Sequence, residues 1–149
     1  MGMKEELIAS LRRLNLKVTP KRLAILEILM RGAGYLSPEE IWSEMKGRFG
    51  RIGLPTVYRI LEELAEGNII FKITHPNRQL YYFFCGNNEH HHHFVCLSCR
   101  NVDDINFCAI HELQREVTKK LNGAVVSHIL QVNGLCRACL QKKREEVPA

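Results

Sequence analysis

Two short cysteine pairs, Cys96-Leu97-Ser98-Cys99 and Cys136-Arg137-Ala138-Cys139, constrain this chain more than any other feature. Each pair lets two thiolates reach one ion from a single turn of chain, and two such pairs complete a tetrahedron, the arrangement of a structural zinc site. The inner cysteines are 36 residues apart in the intervening sequence, room for a helix and a strand between the two knuckles. Four sulfurs saturate zinc, so this site predicts a clamp and leaves no open position for substrate. Cys96, Cys99, Cys136 and Cys139 are therefore expected to hold Zn2+. A disulfide framework is the poorer reading of six cysteines in 149 residues, because Met1 to Ser10 carries acids and lacks the apolar stretch of a secretion signal. No apolar run approaches the roughly 18–20 residues that span a bilayer. The expected location is the cytoplasm, with no membrane partner.

Immediately before the first pair stand four consecutive histidines, His90 to His93. On a strand, successive side chains point to opposite faces. His91 and His93 then share one face and His90 and His92 the other, which predicts two metal sites back to back. His75, Cys85, Asp104, His111 and His128 are the candidate partners. Cys108 has no partner at metal spacing and reads as a buried small residue at the head of a helix.

Upstream, the helix signals come in close succession. Thr19-Pro20 is a start, with threonine as N-cap and proline in the first turn, and Gly32 a stop. Ser37 to Glu40 has capping-box spacing, and the helix it opens should run to about Met45. Gly53-Leu54-Pro55-Thr56 opens another, in which Val57, Ile60, Leu61 and Leu64 form an apolar stripe. Ile69 to Thr74 and Gln79 to Phe84 read as two strands joined by the turn His75-Pro76-Asn77-Arg78. One more helix, Lys4 to Leu14, precedes them.

Three helices followed by a hairpin is the order of a winged helix, whose third helix is presented to the DNA major groove. Thr56, Tyr58 and Arg59 are left near its exposed N-terminal end, and Lys17, Lys21, Arg22 and Arg78 are candidate phosphate or minor-groove contacts. The charge agrees with this assignment: residues 1–83 hold 13 Lys/Arg against 9 Asp/Glu, while residues 84–149 hold 8 against 7. A basic half suits a polyanion.

After the junction at Cys85 to Asn88, the second half reads strand (His91 to Leu97), short strand (Asn101 to Ile105), helix (Ile110 to Leu121), strand (Ala124 to Val132) and charged helix (Arg137 to Glu146). So small a sheet leaves an apolar face and open edges, which a second copy of the chain would cover. The expectation is an α+β protein with a winged-helix DNA-binding domain over 1–84 and a small α/β metal-binding dimerisation domain over 85–149.

Val18-Thr19-Pro20-Lys21-Arg22, Thr56-Val57-Tyr58-Arg59 with Leu61, His90 to His93 with Phe94 and Cys96, and the two cysteine pairs together resemble the ferric uptake regulator family over nearly the whole chain. The resemblance implies a homodimeric, metal-dependent repressor that binds an A/T-rich palindromic operator in double-stranded DNA. It also implies a regulatory site drawing on His91 and His93. Iron and peroxide sensors of the family typically add a histidine from the loop before the second helix, and Gly34-Tyr35-Leu36-Ser37 has none. They also carry a carboxylate near the position of Cys85. Zinc uptake regulators place a cysteine there, and some add a wing histidine, which would be His75.

The implied regulatory set is His75, Cys85, His91 and His93, with Asp104 competing for the place of His75. A thiolate with imidazoles suits Zn2+, whereas carboxylates suit harder ions such as Mn2+. Zinc is the expected signal, and Fe2+ or Mn2+ uptake control or peroxide stress the alternatives. His90, His92, His111 and His128 fall on a further ligand set of the family. A zinc-dependent hydrolase is the distant alternative. It would need an open zinc position and a nearby base, yet the chain has no His-Glu-x-x-His pattern, and Glu89 is its only weak base candidate.

Overall fold

The computed structural model describes residues 2–32, 34–87 and 89–146. The chain divides into two compact units, Met1–Asn87 and Asn88–Ala149.

The first unit opens with α1 (Met3–Arg13), α2 (Pro20–Arg31), α3 (Pro38–Phe49) and α4 (Leu54–Glu66). Their ends follow from local chemistry. The Thr19 hydroxyl accepts a hydrogen bond from the Arg22 N–H at 3.2 Å, with Pro20 supplying a preset φ in the first turn. Ser37 and Glu40 form a reciprocal capping box, each side chain accepting from the other's backbone N–H at 3.2 Å.

α3 runs four residues beyond the expected end at Met45. Phe49 lies one turn on from fully buried Met45 and packs against the same core, which offsets the roughly 1 kcal/mol that Gly47 costs inside a helix. The helix stops at Gly50, whose φ of +60° most side chains would resist.

In α4 the predicted stripe Val57, Ile60, Leu61 and Leu64 is buried. It packs with Leu7, Leu11, Ala24, Ile25, Ile28, Ile41 and Met45 in one hydrophobic core. The hairpin of β1 (Ile70–Thr74) and β2 (Leu80–Phe84) closes that core from below with Ile70 and Tyr82. Leu36 forms an isolated antiparallel bridge with Tyr82, a third short edge to the wing that the sequence pattern did not announce.

The second unit is a three-stranded sheet in the order β4-β3-β5, formed from β3 (His92–Cys96), β4 (Val102–Ile105) and β5 (Gln131–Gly134), with α5 (Ile110–Leu121) and α6 (Arg137–Glu146). β3 is antiparallel to β4 and parallel to β5. A Cβ on Gly134 would lie 3.1 Å from the Phe94 ring, so this residue type lets β5 approach β3.

The long strand expected over Ala124 to Val132 is not formed; pairing begins at Gln131. β3 offers β5 only four residues, His93 to Cys96, and upstream of Gln131 the segment has no strand beside it. Its β-forming residues are left in the open: Val126 is 96% and Ile129 97% exposed. Helix α5 is also without a buried residue in the single chain, with Leu113 and Leu121 exposed. Both the α5 face and this segment therefore leave apolar side chains uncovered in the single chain.

Leu61, fully buried at the centre of the first unit, gives a direct test of this packing. Leu61→Ala is expected to lower the unfolding free energy of residues 1–87 by about 2–5 kcal/mol in urea denaturation followed by circular dichroism.

Candidate metal centres

Strand β3 ends at Cys96, and its parallel pairing with β5 sets Cys96 opposite Gly134. The chain then turns at Leu97, whose N–H bonds the Gly134 carbonyl at 2.8 Å, while the Cys96 N–H closes the knuckle on the Asn101 carbonyl at 2.9 Å. Cys136 follows two residues after Gly134, and Cys139 lies in the first turn of α6. The result is one cluster: the four sulfurs of Cys96, Cys99, Cys136 and Cys139 lie within 4.8 Å of one another. Cys99 and Cys136 are 3.6 Å apart, close to the ~3.8 Å edge of a tetrahedron with Zn–S bonds of about 2.3 Å.

Burial opposes ionisation of Cys96. The backbone N–H groups of Cys99, Cys136 and Ser98 outweigh it and hold the thiol at about 6. Cys99 behaves oppositely. The Asn101 N–H favours its thiolate, but desolvation and the three neighbouring cysteine side chains push the thiol up to about 12. Sulfurs gathered this closely cannot all ionise alone; a divalent cation removes the repulsion, so the donor set fits zinc.

The histidine run divides as strand geometry requires. In the register of β3 with β4, His93 pairs with Asp104, and directly opposed residues share a face. His91, two residues earlier, joins them. The His91 and His93 Nε2 atoms are 2.9 Å apart, and the Asp104 carboxylate lies 3.6 and 3.7 Å from them. His91 Nδ1 faces the Glu89 carbonyl, which can only accept, so Nδ1 carries the proton and Nε2 presents its lone pair. Burial and the neighbouring His91 lower the pKa of His93, against the opposing pull of Asp104, and keep it in the neutral form that ligates metals.

On the other face, His90, His92 and His128 converge. His128 Nε2 is 3.3 Å from His92 Nε2, and the His90 ring centroid is 5.2 Å from that of His128. The fourth member of this group is Cys108, its Sγ 3.5 Å from His128 Nε2. The sequence reading put His111 here and left Cys108 without a partner; the structure reverses both. Cys108 lies in the loop between β4 and α5. His111 sits in the first turn of the helix and is exposed. A loop residue two positions ahead of a helix carries no periodic signal, which is why spacing alone missed it.

In the first unit, His75 occupies the hairpin turn. Its Nδ1 accepts the Asn77 N–H at 3.0 Å, and its ring lies beside Tyr35 and Tyr81. Arg59 is exposed near the start of α4, 3.4 Å from Glu63, and the Tyr58 hydroxyl donates to Glu39 at 2.9 Å. Thr56 is half-buried there, while Lys17 and Arg78 are exposed and Lys21 half-buried. Arg22, expected at the phosphates, is occupied within the fold. Its side chain is 13% exposed, pairs with Glu63 at 2.7 Å and donates to the Lys17 carbonyl at 3.0 Å. It fastens α2 to α4 and so helps hold the presented helix.

Residues 13–133 match the ferric uptake regulator family. The peroxide-responsive repressor PerR of Staphylococcus aureus (strain Mu50) is 28% identical over 138 residues, covering 93% of this chain and 92% of that protein. Among solved structures, the Helicobacter pylori ferric uptake regulator, described as having three functional metal-binding sites, is 29% identical. It superposes with a TM-score of 0.60 over 91% of this chain and 90% of that one. A zinc uptake regulator complexed with zinc and DNA shares the fold with a TM-score of 0.75 at 22% identity, over 97% and 99% of the two chains.

The four-sulfur cluster joins β3 to α6, so its loss should be felt by the second unit alone. Cys136→Ser is expected to remove one zinc equivalent per chain by elemental analysis. It should also unfold residues 88–149, seen as lost amide protection in hydrogen exchange, with residues 1–87 still protected.

Proposed function

Since this chain belongs to the ferric uptake regulator family, we propose that it is a dimeric DNA-binding repressor whose operator affinity is raised by zinc. The observation that carries this reading is the ligand group of His91, His93 and Asp104, with Cys85 only six residues before His91 in the connecting segment. Two donors in the sheet, His93 and Asp104, a third on the residue just before β3, and one thiol on the connecting segment make a site that reports on that segment. His75 already has Nδ1 committed within its turn, which favours Asp104 as the fourth ligand. The thiolate argues for zinc over manganese or iron.

A bound divalent cation supplies a single point to which all four side chains attach. Cys85 then restrains the connecting segment, and with it the freedom of α4 relative to its copy in the dimer. Two recognition helices must match successive major grooves, so restricting that freedom raises affinity for a palindrome, A/T-rich by the family's habit. The exposed faces of α5 and of residues 124–130 supply the apolar surface for dimerisation. Arg59 and Tyr58 meet the bases, and Thr56, Lys17, Lys21 and Arg78 the phosphates. Arg59 is held by Glu63 across an exposed pair, an interaction weak enough to yield to DNA.

A second reading has one observation in its favour. Asp104 beside two imidazoles is also a set that accepts iron or manganese, and the similar PerR is a peroxide-responsive repressor. Gel shifts on an A/T-rich palindrome titrated with zinc, iron and manganese, with and without peroxide, separate the two. Under the zinc reading the parent protein tightens most with zinc and ignores peroxide. Loss of binding on peroxide treatment of the iron form moves the assignment to stress sensing.

Two substitutions test the mechanism. Cys85→Ala keeps the fold and the four-sulfur zinc but loses the zinc response, with at least about tenfold weaker operator binding at saturating zinc. Arg59→Ala weakens binding by about 1–3 kcal/mol in every metal state, because it removes a base contact and leaves the metal ligands in place.

A further inference from the structure

Between α4 and the hairpin lies one carboxylate with two partners. Glu62 of α4 accepts the Tyr82 hydroxyl at 2.5 Å on Oε1 and the Lys72 ammonium at 2.7 Å on Oε2. Lys72 and Tyr82 are directly opposed in the register of β1 with β2, so both reach from the same face of the wing. Each oxygen of a single side chain thus holds one strand. The two contacts differ in weight. Glu62 and Lys72 form a half-exposed pair, worth little alone. Tyr82 is fully buried, and a hydroxyl donating to a carboxylate at this distance makes a strong, directional bond. Burial and the Glu62 contact push the Tyr82 phenol above its usual value. Lys72 and Tyr82 hold the Glu62 carboxyl below its own, so donor and acceptor both stay in the states the bond needs.

We propose that Glu62 is a positioning residue for operator binding: it locks the wing to the recognition helix, so that Arg78 on the wing and Tyr58 and Arg59 on α4 meet one duplex together. This rests on the reading of the first unit as the DNA-binding part of the chain. Tyr58 lies one turn before Glu62 on the same flank of α4, so the clamp and a base-contacting side chain share that flank. Tyr82 is the matching anchor on the wing. Its backbone exchanges both hydrogen bonds with Leu36 at 2.8 Å, which ties β2 to the segment before α3, while its hydroxyl ties β2 to α4. A two-stranded hairpin has little rigidity of its own. Arg78 is exposed in the turn that joins its strands, at a φ of +68°. A phosphate contact from that turn adds to the contacts of α4 only while the turn stays within reach of the same duplex, because a tethered group acts at an effective concentration set by its tether. Without the bond from Tyr82 to Glu62 the hairpin keeps its apolar contacts but loses its fixed angle to α4, and the Arg78 contact is lost with it.

The experiment is the salt dependence of DNA binding by the full-length protein, read by fluorescence anisotropy on an A/T-rich palindrome at saturating zinc. The parent is compared with Tyr82→Phe, Glu62→Ala and Arg78→Ala. Each phosphate contact contributes about 0.9 to the slope of log affinity against log salt. Tyr82→Phe removes one oxygen and leaves the ring in the core. It should lower the slope by about one per wing, with zinc content and the amide protection of α4 as in the parent. Glu62→Ala, at a half-exposed position, should do the same from the other side of the bond, and Arg78→Ala should match both. Added to Arg78→Ala, Tyr82→Phe should change the slope no further. A mere loss of folding stability would lower the active fraction and leave the slope alone. A parent slope in Tyr82→Phe or in Arg78→Ala overturns the proposal and leaves the DNA-binding reading intact. A parent protein that binds no DNA in any metal state overturns that reading, and this proposal with it.

Discussion

The two-residue period of β3 is the constraint on which the metal chemistry of this protein depends. Five residues and the bend before them carry four imidazoles and end in a thiolate, and the alternation of a strand sends them to separate destinations. His91 and His93 go to one face, where the antiparallel register adds Asp104. His90 and His92 go to the other, where His128 and Cys108 arrive from the segment before β5 and from the loop before α5. Cys96, at the end of the strand, meets Cys136 because the parallel register brings β5 alongside. A slip of one residue in the β3–β4 pairing would take Asp104 off the face of His91 and His93, and a slip in the β3–β5 pairing would part Cys96 from Cys136.

The same economy explains why the second unit is so sparsely packed. Its sheet has three short strands, and neither α5 nor α6 buries a residue in the single chain. A unit of about sixty residues with so little buried apolar area needs other sources of stability, and metal cross-links with association between copies are the usual ones. The first unit needs neither. Its four helices and hairpin close a continuous core in which Leu11, Ile25, Leu26, Ile41, Met45, Leu61 and Leu64 have no exposed surface. One half of the chain thus folds on hydrophobic burial, and the other gathers sulfur and nitrogen donors into clusters of metal-ligand spacing.

The presented helix α4 shows how the first unit prepares a surface. Its inner stripe is anchored in the core, while Glu63, on its flank, holds Arg22 in a largely buried pair and Arg59 in an exposed one. The carboxylate thus has two different tasks. The contact with Arg22, short and shielded, sets the position of the helix against α2. The longer, solvated contact with Arg59 leaves that guanidinium available.

Much of this was determined by the sequence alone, because the signals are local. Thr19-Pro20 and the Ser37–Glu40 box define helix starts through bonds between residues three apart, and the stripe of α4 follows from a period of 3.6. The two cysteine pairs announce their own chemistry by spacing. What only the tertiary structure decided depends on distant neighbours. Ala124 to Leu130 has the composition of a strand, but a strand exists only where a partner lies beside it, and β3 is too short to supply one. Arg22 has the character of a phosphate contact, but Glu63, 41 residues away, occupies it. Cys108 and His111 are three residues apart, and nothing local distinguishes them as ligands. The loop ahead of α5 brings the thiol to His128, while the imidazole stays exposed in the first turn of the helix.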